Sequence, residues 1–310
     1  MDVELAWLRS WIEVVDSGGF ARAAARLHVS QPRVSARVAS LERALGCVLI
    51  ERRIRPLTLT DEGRRLLPRA RMIVAALDDA VSDMRATAGT LTGKLAIASF
   101  ASASSEFLPG VLRKLRDANP LLELAVLDGD VQVIEDSLSE RRAAVALRPL
   151  RPEPADQALV RRGIWREPFV VLAPPGHPVL GNDSITLENV AAYPVITIGD
   201  PLGDPSLGYE AWSAMQSSRI EPAAGMVSHQ PTTLAAMVRG GHGIGLLNSL
   251  AGAMVRTDGL EVREVANRHL YRDVGLWWHA ERPLSRAAQA FIDLVLDGDR
   301  PAGTLPIPTD

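Results

Sequence analysis

Between positions 20 and 46 the chain reads FARAAARLHVSQPRVSARVASLERALG, a spacing that predicts two helices joined by a tight polar turn. Ala23, Ala24 and Leu27 put small and apolar side chains on one face of a short helix, and His28, Val29 and Ser30 break that pattern. Ser30 is placed to cap the next helix by accepting a first-turn backbone N–H. Pro32 is tolerated there because first-turn N–H groups have no helical partner. Val34, Val38, Leu41 and Leu45 recur at steps of three and four and form a stripe to be buried. Gln31, Arg33, Ser35 and Arg37 lie on the opposite face. This is the layout of a helix-turn-helix, whose second helix enters a DNA major groove. Ser30, Gln31, Pro32, Arg33, Ser35 and Arg37 are therefore candidate DNA contacts.

Charge is distributed to match. The whole chain carries −3 at pH 7, which by itself argues against a nucleic-acid partner. Positions 20–55, however, hold eight arginines against two acids, a net +6, so the remaining residues sum to −9. A basic module on an acidic body suits a protein that holds DNA at one end and does something else at the other.

The segment VLIERRIRPLTLT continues the module. Short extended pieces at 48–50 and 57–59 flank a basic tip, which reads as a hairpin wing. Its arginines, Arg52, Arg53 and Arg55, are of the kind that meets phosphates or a minor groove. Thr60 then caps a new helix, with Asp61 and Glu62 at its positive end. Along that helix Leu67, Ala70, Val74, Leu77, Val81, Met84 and Ala88 step by three and four, a heptad seam that predicts pairing with another helix. Packing against its own domain is the alternative use of such a stripe. Pro68 lies inside the pattern, and positions 86–93 (ATAGTLTG) read as a hinge.

A length of 310 residues predicts two or three domains. From Lys94 onward short apolar strands alternate with helices, which indicates an α/β domain with a largely parallel sheet. The tail DGDRPAGTLPIPTD is rich in Pro and Gly and is expected to be loose. The first ten residues do not read as a secretory signal, and no run approaches the roughly 20 apolar residues of a membrane span. Cys47 is the one cysteine, so no internal disulfide can form, and a reducing, cytoplasmic setting is expected. The six histidines show no metal-ligand spacing. The run GGHGIG at 240–245 follows a helix and opens a strand, the wrong order for a dinucleotide site, and reads as a tight turn.

These residues resemble the LysR-type transcriptional regulators, above all in AARLHVSQPRVSARVASLERALG, LIERRIRPLTLTDEG, EPFVVLAPPGHPV and GGHGIGLLN. The resemblance implies an overall α/β fold in two parts. They are an N-terminal winged helix-turn-helix and a two-lobed effector domain like the periplasmic binding proteins. The implied domains are 1–59 for DNA, 60–88 for the dimerising linker helix and 91–298 for effector binding. Lobe one would be 91–165 with 269–298, lobe two 166–268, and 299–310 a loose tail. It also implies a ligand-responsive regulator and not an enzyme. Its partners would be double-stranded promoter DNA, a second copy of the chain in a homodimer or homotetramer, and a small metabolite of unknown identity. RNA polymerase is a further candidate partner, and no cofactor or membrane is implied.

The same resemblance places the effector between the lobes, where strand C-termini meet. Ser99, Ser102 and Ser104 lie in a serine-rich loop whose hydroxyls and N–H groups suit an anion. Asp130, Arg148, Thr197 and His229 follow at the ends of later strands, and Arg148 would suit a carboxylate. Four places depart from the family pattern. Gly19 and Ala21 leave the first helix of the pair without a side-chain cap. Arg33 replaces a small residue, Arg142 to Val145 lack an expected Asp, and Asn248 replaces a proline. The alternative function is a solute-binding or enzymatic α/β protein with an incidental basic N-terminus.

Overall fold

The computed structural model describes residues 2–51, 57–85, 90–199, 209–221, 224–266 and 270–308. The chain divides into two compact units, Met1–Gly89 with Ser139–Arg142, and Thr90–Leu138 with Ala143–Asp310.

The first unit packs three helices, α1 (Leu5–Ser17), α2 (Phe20–Arg26) and α3 (Gln31–Leu45), beside a hairpin of β1 (Ile50–Glu51) and β2 (Thr58–Leu59). A fourth helix, α4 (Asp61–Arg85), follows. Trp11 and Val14 of α1, Ala23 of α2, and Val34, Val38 and Leu41 of α3 are fully buried together. The stripe on α3 is thus the one its spacing predicts, and Leu45 is half-buried against the same core. Helix α1 has no counterpart in the sequence-based expectation, yet it closes the third side.

Ser30 occupies the N-cap of α3, but its hydroxyl makes no capping bond. Magnitudes explain why the turn forms anyway. Each fully buried Val or Leu contributes about 1.5–3 kcal/mol, and a capping hydroxyl adds about 1 kcal/mol. Gly19 stands at the N-cap of α2 without a side-chain bond, as its sequence predicts. Thr60 does cap α4: its Oγ accepts the Gly63 N–H at 3.0 Å and donates to the Val48 carbonyl at 2.7 Å.

The heptad stripe of α4 divides in two. Leu67 and Ala70 are buried in the core of their own unit, and Val74 packs partly against it. Leu77, Val81 and Met84 are exposed, as are Met72 and Ile73. Ala88, the last position of the stripe, lies outside the described residues. The first half of the stripe therefore serves its own domain, and only the second half is left for a partner helix.

The second unit runs β3 (Gly93–Ser99), α5 (Ala101–Glu106), α6 (Leu108–Ala118), β4 (Leu122–Asp128), α7 (Val131–Ser139), β5 (Val145–Pro149) and the long β6 (Leu159–Ala173). It continues with α8 (Leu187–Ala191), β7 (Pro194–Ile198), α9 (Tyr209–Ser217), β8 (Ala224–Ser228), α10 (Pro231–Arg239) and β9 (Ile244–Asn248). Last come α11 (Ser249–Met254), β10 (Glu261–Glu264), β11 (Tyr271–His279) and α12 (Arg286–Asp297). One sheet of order β4-β3-β5-β11-β6-β9-β7-β8 carries both lobes, with β10 on β6. Strand β6 is shared. Its residues 159–168 pair antiparallel with β11, and Phe169 to Leu172 pair with β9. The partner change falls at Pro168/Phe169. Each lobe has its own core, one around Trp165, Trp277 and Phe291, the other around Val171, Ile244 and Leu246.

The expected loose tail is ordered instead. Leu305 exchanges both backbone hydrogen bonds with Arg166 of β6, at 2.7 and 2.8 Å, and Pro301 is buried. The cause is an open edge: among the described residues no named strand pairs with the first half of β6 on the side away from β11, and the tail fills part of it.

Candidate functional site

In the first unit the turn between α2 and α3 brings His28 to φ 52°, the left-handed region. This lets α3 leave at an angle that exposes Ser30, Gln31, Pro32 and Arg33, with Ser35 and Arg37 half-buried. Several arginines of the basic module are oriented by contacts within their own unit. Arg37 donates to the Ser10 hydroxyl of α1 at 3.2 Å, Arg22 to the Gly18 carbonyl at 2.9 Å, and Arg26 pairs with Glu13 at 3.1 Å. Arg33 is exposed at the start of α3. Arg52, Arg53 and Arg55 lie outside the described residues; the two strands that carry the tip pair in register, Ile50 with Leu59 and Glu51 with Thr58.

In the second unit a cavity of about 400 Å³ opens between the lobes. Its apolar wall includes Phe100, Val131, Pro149, Phe169, Leu246 and Leu247. Three of the seven expected effector residues line it: Ser102, Asp130 and His229. Asp130 also caps α7 by accepting the Val133 N–H at 2.9 Å.

The other four are placed elsewhere. Ser99 ends β3 fully buried, its hydroxyl turned to the Phe100 carbonyl at 3.4 Å. Ser104 Oγ is buried without a hydrogen-bond partner and lies outside the cavity wall. Thr197 sits inside β7 between β8 and β9, and the residues that reach the cavity are the next two, Ile198 and Gly199. Arg148 is the clearest correction. Its side chain is buried on β5, whose five residues are all buried. It bonds to Glu135 at 3.2 Å and the Pro149 carbonyl at 3.1 Å, with its guanidinium 4.9 Å from the Trp277 ring. Its neighbour Pro149, the last residue of β5, reaches the cavity, while the Arg148 side chain is turned to Glu135 and Trp277.

Two arginines line the cavity, Arg151 and Arg272, and neither is among the sequence candidates. Arg272 of β11 donates one nitrogen to Ser102 Oγ at 3.1 Å and to Glu167 at 2.7 Å, and lies 4.3 Å from the Phe100 ring. Its Nε is buried without a hydrogen-bond partner. Glu167 is fully buried and also accepts the Trp165 indole N–H at 2.9 Å. β11 begins at Tyr271, and Tyr271-Arg272-Asp273-Val274 carries no alternation that would mark Arg272 as a strand residue. Asn248 lines the same cavity and caps α11 by accepting the Ala251 N–H at 3.2 Å.

Known proteins resemble the chain in both parts. Residues 5–64 match the family described as bacterial regulatory helix-turn-helix protein, lysR family, and residues 88–300 match the LysR substrate binding domain. A probable hydrogen peroxide-inducible genes activator of Mycobacterium leprae (strain TN) is 31% identical over 245 residues, covering 78% of this chain and 77% of the relative. A full-length OxyR variant from Pseudomonas aeruginosa superposes with a TM-score of 0.70 at 24% identity, covering 95% of this chain and 98% of that one. Full-length CbnR, solved with its target DNA, superposes with a TM-score of 0.68 at 22% identity, covering 94% and 98%. The helix-turn-helix and the two-lobed domain thus each match their own family segment, and the chain belongs to the LysR family of bacterial transcriptional regulators.

Proposed function

We propose that this regulator reads promoter DNA through the exposed face of α3 and is controlled by a small metabolite held in the cavity between its lobes. The carrying observation is that cavity. It draws Ser102 and Arg272 from one lobe and His229 and Asn248 from the other onto an apolar wall. Its volume falls in the range of small-molecule sites. A ligand that touches both lobes favours one angle between them, and only that preference can shift the equilibrium. The ligand best suited has an apolar body and a polar group for Ser102 and Arg272.

On the DNA side, Gln31 and Arg33 are the groups to read base edges, and Ser30, Pro32 and Ser35 line the approach. Arg37, held by Ser10, and Arg52, Arg53 and Arg55 on the wing supply salt-dependent phosphate contacts. The exposed half of the α4 stripe is the surface for a second copy, and RNA polymerase remains a candidate partner. A metabolite panel read by thermal shift, followed by a gel shift with the DNA beside the gene, tests the reading. A ligand at about 100 times its Kd adds roughly 2.7 kcal/mol. No specific DNA complex with any metabolite pool would overturn it.

A second reading comes from the peroxide-inducible relative, and the thiol chemistry disfavours it. A switch through an internal disulfide needs two cysteines. This chain has Cys47 alone, half-buried against the core of the first unit. The solute-binding or enzymatic alternative loses its ground as well, because the basic N-terminus is itself a family segment.

A further inference from the structure

Helix α11 is held from three sides. Ala251 and Val255 pack in the core of the second lobe, while Leu250, between them and the cavity residue Asn248, is buried in the core of the first. The third contact comes from the chain beyond α12. Gly303, in a left-handed turn at φ 75°, accepts the Ser249 hydroxyl at 3.0 Å. Two residues on, Leu305 forms its backbone pair with Arg166. Ile307 then lies over Gly163, so close that a Cβ there would come within 2.7 Å of its Cδ1. Gly163 borders the irregularity in the β6–β11 pairing, where Val274 faces Trp165 and Gly275 faces Gly163.

We propose that residues 300–308 form a strap that ties α11 to the half of β6 that pairs with β11 and so restrains the opening of the lobes. The route supports this. The strap leaves α12 in the first lobe, touches α11 at Gly303, and runs back along the free edge of β6 from Arg166 to Gly163. Any rotation about the strands that cross between the lobes must carry α11 and β6 together or break the strap at one end, at the Ser249–Gly303 bond or at the Leu305–Arg166 pair. Arg166 is itself fixed by a bidentate bond to Asp273 at 2.6 and 2.8 Å, so the anchor on β6 is stiff. The strap thus regulates the same cavity, and its existence does not depend on what the cavity binds.

Hydrogen–deuterium exchange on the full chain without ligand tests it. Leu305→Pro removes the N–H that Arg166 accepts, Ile307→Ala uncovers Gly163, and Ser249→Ala removes only the hydroxyl bond. Exchange at 249–254 should rise by roughly threefold or more in all three variants, and exchange at 163–167 should rise likewise in the first two only. Exchange in β3 and in the first unit should stay as in the parent. Unchanged exchange in α11 for both Leu305→Pro and Ile307→Ala would overturn the strap. So would a uniform rise across the second unit, which would make the segment a general staple. A strap that passes this test in a protein that binds no metabolite would leave the strap standing and the proposed function refuted.

Discussion

Arg148 and Glu135 form an ion pair 3.2 Å apart with 1% and 8% of their side chains exposed, far from solvent screening. Burial pulls the Arg148 pKa below the usual guanidinium value, and Glu135 opposes that pull. Glu135 has other partners, the backbone N–H groups of Ala155 at 2.7 Å and Asp156 at 3.3 Å. The two residues are therefore unequal. Glu135→Ala strands a buried guanidinium and two N–H groups and should cost about 3–5 kcal/mol. Arg148→Met leaves the carboxylate two donors and should cost less. Urea unfolding of both variants checks this, and a larger loss in Arg148→Met would contradict it. Arg148→Met should also keep its metabolite response, since the side chain does not reach the cavity.

His28 is the residue in the helix-turn-helix whose backbone the turn forces into the left-handed region. A β-branched residue is disfavoured there, at a cost of about 1–2 kcal/mol. His28→Val should lower the melting temperature of the first unit and weaken DNA binding with it. His28→Gly should be near neutral or stabilising, because glycine adopts the conformation without strain. Equal destabilisation by both would show that the imidazole, not the backbone, matters at this position.

The divided stripe on α4 predicts where assembly can be broken without unfolding. Leu77 and Val81 are 43% and 37% exposed, while Leu67 is buried at 7%. Leu77→Asp with Val81→Asp should leave the secondary structure intact and shift the sedimentation of the protein toward the monomer. Leu67→Asp should unfold the first unit instead, since a charge in that core has no partner. A double variant that still sediments as the parent would remove the exposed half of α4 from the interface.

Much of this was legible in the sequence where periodicity is strong and burial one-sided. The stripe Val34, Val38 and Leu41 and the capping Thr60 follow straight from spacing. The wall of the cavity was less legible, because strand register decides it and single residues carry no register. Thr197 and Arg148 each miss the cavity by one position, since Ile198 and Pro149 line it instead. Arg272 has no local pattern at all; it becomes a cavity residue only when β11 crosses back beside β6, more than 100 residues away in sequence. The ordered tail was hidden for the same reason, since Pro and Gly composition says nothing about a free strand edge.

His177 gives a test in solution that involves neither DNA nor ligand. Burial lowers its pKa below the usual 6.5. The neutral ring supports the local structure in two ways. Its Nδ1 accepts the Val179 N–H at 3.2 Å, and the ring packs edge-on against Tyr193 at 4.7 Å. Below pH 6.5 the unfolded chain takes up a proton at this site before the folded one does, so stability rises with pH across that window. The contribution is complete above 6.5 and is lost as pH falls toward the lowered folded value. A proton NMR titration should place the His177 midpoint below about 6.5, the usual histidine value. His177→Asn keeps an acceptor for Val179 and has no proton to gain, so it should flatten this part of the stability–pH curve. A midpoint at or above the usual value, or a curve unchanged in His177→Asn, would show that the capping role is wrong.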